Sequence, residues 1–197
     1  MTTTLFTNAH IATGEPGSTA ASTLPLQDIL VTDGVFTAFG PGLAQQYEAQ
    51  GGDLAAIEVV DLGGNLVCPP FCDTHLHLDY VFTARKPGAV NESGTLFEGI
   101  QRWSETKSDL TVDEIKQRAK IGIKKEMLHG VQLIRSHADV TDPNLTSLKA
   151  LLELKEELKD TVTLQIVSFP QEGMYSYEGP NGVSGAELVE EGLKMGA

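Results

Sequence analysis

The sequence predicts an α/β fold in which a small β module precedes a parallel sheet flanked by helices. Three observations lead there. Short strand-like runs punctuated by Asp-Gly and Gly-Gly pairs fill residues 1–68, apolar runs alternate with capped amphipathic stretches over residues 69–197, and Pro69-Pro70 marks the change.

In the first part, strands are expected at residues 4–11, 29–32, 35–39, 56–61 and 65–68. Asp33-Gly34 and Gly63-Gly64 supply the positive φ that tight hairpin turns require. Leu43, Ala44 and Tyr47 are spaced for one short helix, and residues 12–23 read as a loop. In the second part the first apolar strand covers residues 71–78, and a long polar loop leads to a helix over residues 96–107. Thr111 and Glu114 form a capping box. Ile115, Ala119, Ile123 and Met127 then give one apolar face before Gly130 ends that helix. Residues 131–136 form the next strand, 145–158 a helix and 162–169 another strand, and Ser184 with Glu187 opens a last helix that carries Leu188 and Leu193.

Composition narrows the function classes. Twenty-seven acids against fourteen bases leave a net charge of -13, which argues against nucleic acid or an anionic membrane as a partner and favours a small neutral or cationic ligand. Hydrophobic residues make up 41% of the 197, enough for a core. The opening MTTTLFTNAHIATG lacks a basic region followed by an apolar stretch, and no apolar window approaches membrane-spanning length, so a cytoplasmic location is expected. Cys68 and Cys72 flank extended proline backbone that holds their Cα atoms roughly 13 Å apart, too far for a disulfide. They are expected as buried thiols, and a zinc site built from cysteine alone would need a second pair. There is no G-x-G-x-x-G, no G-K-[ST] phosphate loop, no G-x-S-x-G elbow, and no H-x-E with P-C-x-x-C.

What remains is polar chemistry at three strand ends. His75 and His77 flank Leu76, and in an extended strand alternate side chains point the same way, so both imidazoles can reach one metal ion. An isolated H-x-H also occurs on solvated strand faces, so its neighbours decide. Asp79 follows the same strand, His137 and Asp139 follow the second, and Gln171 and Glu172 follow Phe169-Pro170 at the third. The C-terminal ends of parallel strands are where barrel enzymes collect ligand groups. Each of these residues has an ordinary alternative: Asp79 capping a turn, His137 as a satisfied core histidine, Glu172 as a solvated loop acid. Trp103 suits either a lid over a pocket or a core anchor.

The run Pro69-Pro70-Phe71-Cys72-Asp73-Thr74-His75-Leu76-His77-Leu78-Asp79 resembles the opening of the metal-dependent amidohydrolase superfamily. Three further stretches resemble bacterial cytosine deaminases: S-G-T-L-F-E-G-I from Ser93 with Arg102 and Trp103 after it, R-S-H-A-D-V from Arg135, and L-Q-I-V-S-F-P-Q-E-G from Leu164. The resemblance implies the N-terminal part of a (β/α)₈ TIM-like barrel preceded by a small β-sandwich module, a divalent iron or zinc ion, and hydrolysis of cytosine to uracil and ammonia. It assigns His75 and His77 as metal ligands and Gln171 as the pyrimidine-binding glutamine. A primary amide suits that role because it offers an acceptor and a donor side by side. The general acid/base glutamate and the remaining ligands of the family lie beyond Ala197, and Glu172 follows the wrong strand for that task.

About three to four strand-helix repeats fall short of the roughly 250 residues of a closed barrel, and two histidines make an incomplete catalytic site. The chain alone is therefore expected to be inactive, with a pyrimidine, a complementary C-terminal segment and further copies of itself as partners. Alternatives are deamination of another cyclic amidine or urea, such as creatinine, isocytosine or a triazine, and a non-catalytic half-barrel that binds a partner through an open sheet edge.

Overall fold

Two units divide the chain, Met1–Pro69 and Pro70–Ala197. The structure is a computed structural model that describes residues 2–12 and 24–197, so most of the loop expected over residues 12–23 lies outside the described residues. No described helix is long and apolar enough to cross a membrane.

The first unit is a five-stranded sheet. Strand β1 (Thr3–Ile11) lies beside β2 (Leu26–Thr32), which continues into β3 (Val35–Gly40), and after helix α1 (Leu43–Ala49) come β4 (Glu58–Asp61) and β5 (Leu66–Val67). The spatial order is β3-β2-β1-β4, with β5 also on β1. Asp33 and Gly34 turn the β2-β3 hairpin with φ of 49° and 78°, the left-handed pair that matches strand twist. Leu5, Ala9, Ile29 and Leu43 are buried, and the Asp28 carboxylate accepts the amides of Asn8 (3.2 Å) and Leu43 (2.9 Å), satisfying a first-turn donor of α1. Gly63-Gly64 departs from expectation, because β4 and β5 do not form a hairpin with each other. Both run parallel to β1, on either side of its bulge between Phe6 and Ala9. The glycine pair follows that bulge: the Gly64 amide donates to the Asn8 carbonyl at 2.8 Å, and the Asn8 side chain donates to Asp61 at 2.9 Å.

The second unit carries β6 (Phe71–Leu76), α2 (Leu96–Lys107), α3 (Val112–Leu128), β7 (Val131–Asp139), α4 (Thr146–Glu157), β8 (Thr163–Phe169) and α5 (Gly185–Lys194). The strands form a parallel sheet in the order β6-β7-β8. Alternation along each strand splits its two faces. Ile134, Ser136 and Ala138 of β7 and Leu164 and Ile166 of β8 are buried in one core with Ile115, Ala119 and Ile123 of α3 and Leu148, Leu151 and Leu154 of α4. Each fully buried leucine or isoleucine there contributes about 1.5–3 kcal/mol. The opposite face leaves Leu133, Arg135, Thr163 and Gln165 exposed.

Both expected capping boxes are present, at Thr111 with Glu114 and at Ser184 with Glu187. Gly130, at φ 86°, ends α3, and its position faces the Phe71 ring, which an added Cβ would meet at 3.4 Å. Three expectations need correction. Strand β6 stops at Leu76, two residues early, because its register on β7 shifts between Asp73 and Leu76 and the Leu78 amide turns to the Ser136 hydroxyl at 3.0 Å. Strand β7 runs on to Asp139, held by continuous pairing with β8 as far as Phe169. Cys68 and Cys72 are free but exposed rather than buried, and Cys72 pairs with the exposed Leu133 on the face that the helices leave open.

Candidate metal and substrate site

Parallel pairing puts the C-terminal ends of β6, β7 and β8 at one edge of the sheet, and the polar residues picked out above meet there. His75 is the penultimate residue of β6 and His77 lies just past its end. Their Nε2 atoms are 3.3 Å apart. Two ligands of a tetrahedral ion with bonds of 2.0–2.1 Å are separated by roughly 3.3–3.4 Å, so the pair fits one divalent ion. Among the described residues no group of three or more His, Cys, Asp or Glu side chains gathers to hold a metal.

The His77 ring is tightly located. Its Nδ1 lies 3.0 Å from the His137 carbonyl, which can only accept, so Nδ1 carries the proton and Nε2 keeps its lone pair for a metal. Tyr80 stacks on the ring at 4.7 Å, and Phe169 meets it edge-on at 5.5 Å. Burial lowers the His77 pKa, and His75 and His137 lower it further, against the opposing pull of the His137 carbonyl and Asp139. The imidazole is thus kept in the form that binds metal. His137 is not a fully satisfied core histidine: its Nδ1 is buried with no hydrogen-bond partner among the described residues. Burial, His75 and Arg135 lower its pKa, with the Leu76 carbonyl opposing them.

Beside His77 opens a cavity of about 670 Å³. Tyr80, Trp103, Phe169 and Gln171 line it with His77, so Gln171 and one of the two histidines share a pocket. Tyr80 and Trp103 continue the aromatic wall with ring centroids 4.6 Å apart. Helix α2 forms one side, starting where Thr95 caps the Glu98 amide. Trp103 serves as both core anchor and pocket wall, being 4% exposed with its indole N–H donating to Asp139 Oδ2 at 2.7 Å.

Asp139 is the hub of this region. Its Oδ2 also accepts the Lys107 amine at 3.0 Å, while Oδ1 accepts the Thr141 amide (2.8 Å), the Thr141 hydroxyl (2.6 Å) and the Gln171 amide (3.3 Å). Five donors fill a carboxylate that has about four lone-pair sites, so it organises the pocket and has no free lone pair for a metal. Lys107 reaches across to Glu172 as well, and Ser104 donates to the same Glu172 oxygen at 2.6 Å. Glu172 is therefore a half-buried partner of α2, not a solvated loop acid. Burial works to lower the Lys107 pKa, but Asp139 and Glu172 outweigh it and hold the amine above its ordinary value. Asp79 does accept the Tyr80 amide at 3.2 Å, as a turn cap would, but it is fully buried and also accepts the Asp139 amide at 2.9 Å. Burial pushes its carboxyl up to about 7.

Sequence reasoning missed Lys107. A lysine in the last turn of a helix ordinarily answers the helix dipole, and nothing local announces that it crosses to a strand end. The tight run His137-Ala138-Asp139 was the available signal, since a buried acid needs a cation or several donors.

A family model described as "Amidohydrolase family" matches residues 58–193. Among solved structures, 5-methylcytosine deaminase from Klebsiella pneumoniae with 5-fluorocytosine bound superposes with a TM-score of 0.80 at 39% identity, covering 98% of this chain and 41% of that one. An N-isopropylammelide isopropyl amidohydrolase of Pseudomonas sp. (strain ADP) is 33% identical over 141 residues, 70% of this chain and 34% of that protein. A pterin deaminase of Rhizobium rhizogenes (strain K84 / ATCC BAA-868) is 27% identical over 152 residues, 75% of this chain and 32% of that protein. The chain thus spans about a third of the length of these curated relatives.

Proposed function

This chain belongs to the amidohydrolase family, and from that premise we propose that it supplies part of the active site of a metal-dependent deaminase that converts a cytosine-type ring to the corresponding uracil and ammonia. The observation that carries the reading is the pair of Nε2 atoms, 3.3 Å apart at the edge of the cavity that His77 and Gln171 line. Likeness to a 5-methylcytosine deaminase at 39% identity supports the ring type.

His75 and His77 would hold a divalent iron or zinc ion, which when bound would supply the Lewis acidity that makes water nucleophilic near neutral pH. The protein's own groups do the rest. The His77 Nδ1–H donates to the His137 carbonyl, so Nε2 keeps the lone pair that would bind the metal. The Gln171 side chain donates an amide N–H to the ring carbonyl of the pyrimidine and accepts its neighbouring N–H, which fixes which ring carbon faces the histidines. Tyr80, Trp103 and Phe169 offer apolar surface to a flat ring and displace water from it. Asp139 holds the Gln171 amide, and Lys107 binds Glu172, so the segment after β8 is anchored on both sides of the glutamine's backbone. The remaining ligands and the proton carrier would come from a complementary C-terminal segment.

Deamination of another cyclic amidine is the second reading, favoured by the pterin deaminase and N-isopropylammelide amidohydrolase relatives. A substrate panel decides between them. Ammonia release is measured from cytosine, 5-methylcytosine, isocytosine, creatinine and pterin, for the chain alone and with a complementary C-terminal segment added. The expected result is turnover of cytosine or 5-methylcytosine only when that segment is present. Far faster turnover of creatinine or pterin would refute the pyrimidine assignment.

A further inference from the structure

We infer that His137 is a positioning residue for the metal site, working through both of its neighbours on β6. The inference rests on the metal-binding reading of His75 and His77.

Two ligands are useful to an ion only if both rings are already aimed at it, since each loose imidazole must otherwise be ordered on binding. His77 is aimed by the His137 carbonyl, by Tyr80 and by Phe169. His75 is more exposed, and its ring meets two others. One is His77 and the second is His137, whose ring lies 4.0 Å away and nearly parallel, at 18°. Phe169 backs His137 edge-on at 5.6 Å and 88°. The ordered stack is therefore Phe169, His137, His75, and one residue of β7 serves the first ligand with its ring and the second with its backbone.

The same geometry separates this role from that of a third ligand. The lone pair of an imidazole nitrogen lies in the ring plane. Two stacked rings aim their lone pairs within two separate, nearly parallel planes, and these cannot converge on an ion about 2.0–2.1 Å from both. The contact that the His137 side chain makes with the His75 ring is thus through its flat face.

The test is zinc titration of the full chain, competed with a chromophoric chelator, for wild type, His75→Ala, His137→Phe and His137→Ala, each checked by circular dichroism for folding. Phenylalanine keeps the flat face and removes the nitrogens. The expected result is that His75→Ala abolishes binding, His137→Phe binds within about twofold of wild type, and His137→Ala binds about tenfold more weakly or worse. If His137→Ala does not fold, His137→Leu, which fills the space without a flat face, takes its place with the same expected loss. Wild-type affinity in the alanine or leucine variant overturns the inference. Equal loss in the phenylalanine and alanine variants also overturns it, in favour of a nitrogen ligand. Zinc binding that is absent from wild type, or unaltered in His75→Ala, overturns the metal-site reading itself and this inference with it.

Discussion

Replacing Lys107 by methionine removes the amine that joins α2 to the ends of β7 and β8 while keeping most of the side-chain length. The Lys107 and Asp139 side chains are 11% and 1% exposed, whereas that of Glu172 is 31% exposed. Glu172 can turn to water, so its share of the loss is small. Asp139 cannot, and removing one partner of a buried pair costs about 3–5 kcal/mol when the remaining charge has no compensation. Here four donors remain on it, from Trp103, the Thr141 amide and hydroxyl, and Gln171. That reduces the expected cost to about 2–3 kcal/mol. Trp103 is the only tryptophan of the chain and donates to the same carboxylate, so urea unfolding followed by its fluorescence reports on the site directly. With a slope of about 2 kcal/mol/M, the midpoint should fall by about 1–1.5 M. A fall of less than about 0.3 M would mean that the amine contributes little and that the hub reasoning is wrong.

The buried Asp79 predicts a pH dependence. Its folded pKa is raised to about 7, chiefly by burial, so between about pH 4 and 7 the folded chain binds a proton that the unfolded chain has released. Stability should therefore fall by a few kcal/mol as pH rises through that window and level off above it, while Asp79→Asn shows no such slope; parallel wild-type and variant curves in urea melts from pH 4 to 8 would contradict this. Gly185, the first residue of α5, packs directly on the loop after β8. An added Cβ would lie 2.2 Å from the Gly173 carbonyl oxygen, so Gly185→Ala should displace that loop and cost about 1–3 kcal/mol in thermal unfolding. An unchanged midpoint would show that the loop yields freely.

Local signals carried much of the fold. The range expected for α2, residues 96–107, matches the helix, and both capping boxes are complete in the sequence. Features set by partners distant in the chain were not legible. Strand β7 extends because β8 pairs with it to the end, β6 stops because Ser136 captures the Leu78 amide, and Gly63-Gly64 follows a bulge in β1. The site divides in the same way. Two histidines at i and i+2 announce themselves, but the stacking of His137 on His75 and the reach of Lys107 to Asp139 depend on side chains 62 and 32 positions apart that only the folded sheet brings together.

The most direct measurement of the central claim, that His75 and His77 hold one divalent ion beside the Gln171 pocket, is equilibrium dialysis of wild type and the His75→Ala/His77→Ala double variant against zinc and ferrous iron. Wild type should retain metal and the folded double variant should not. Equal retention by both would remove the metal from this pocket.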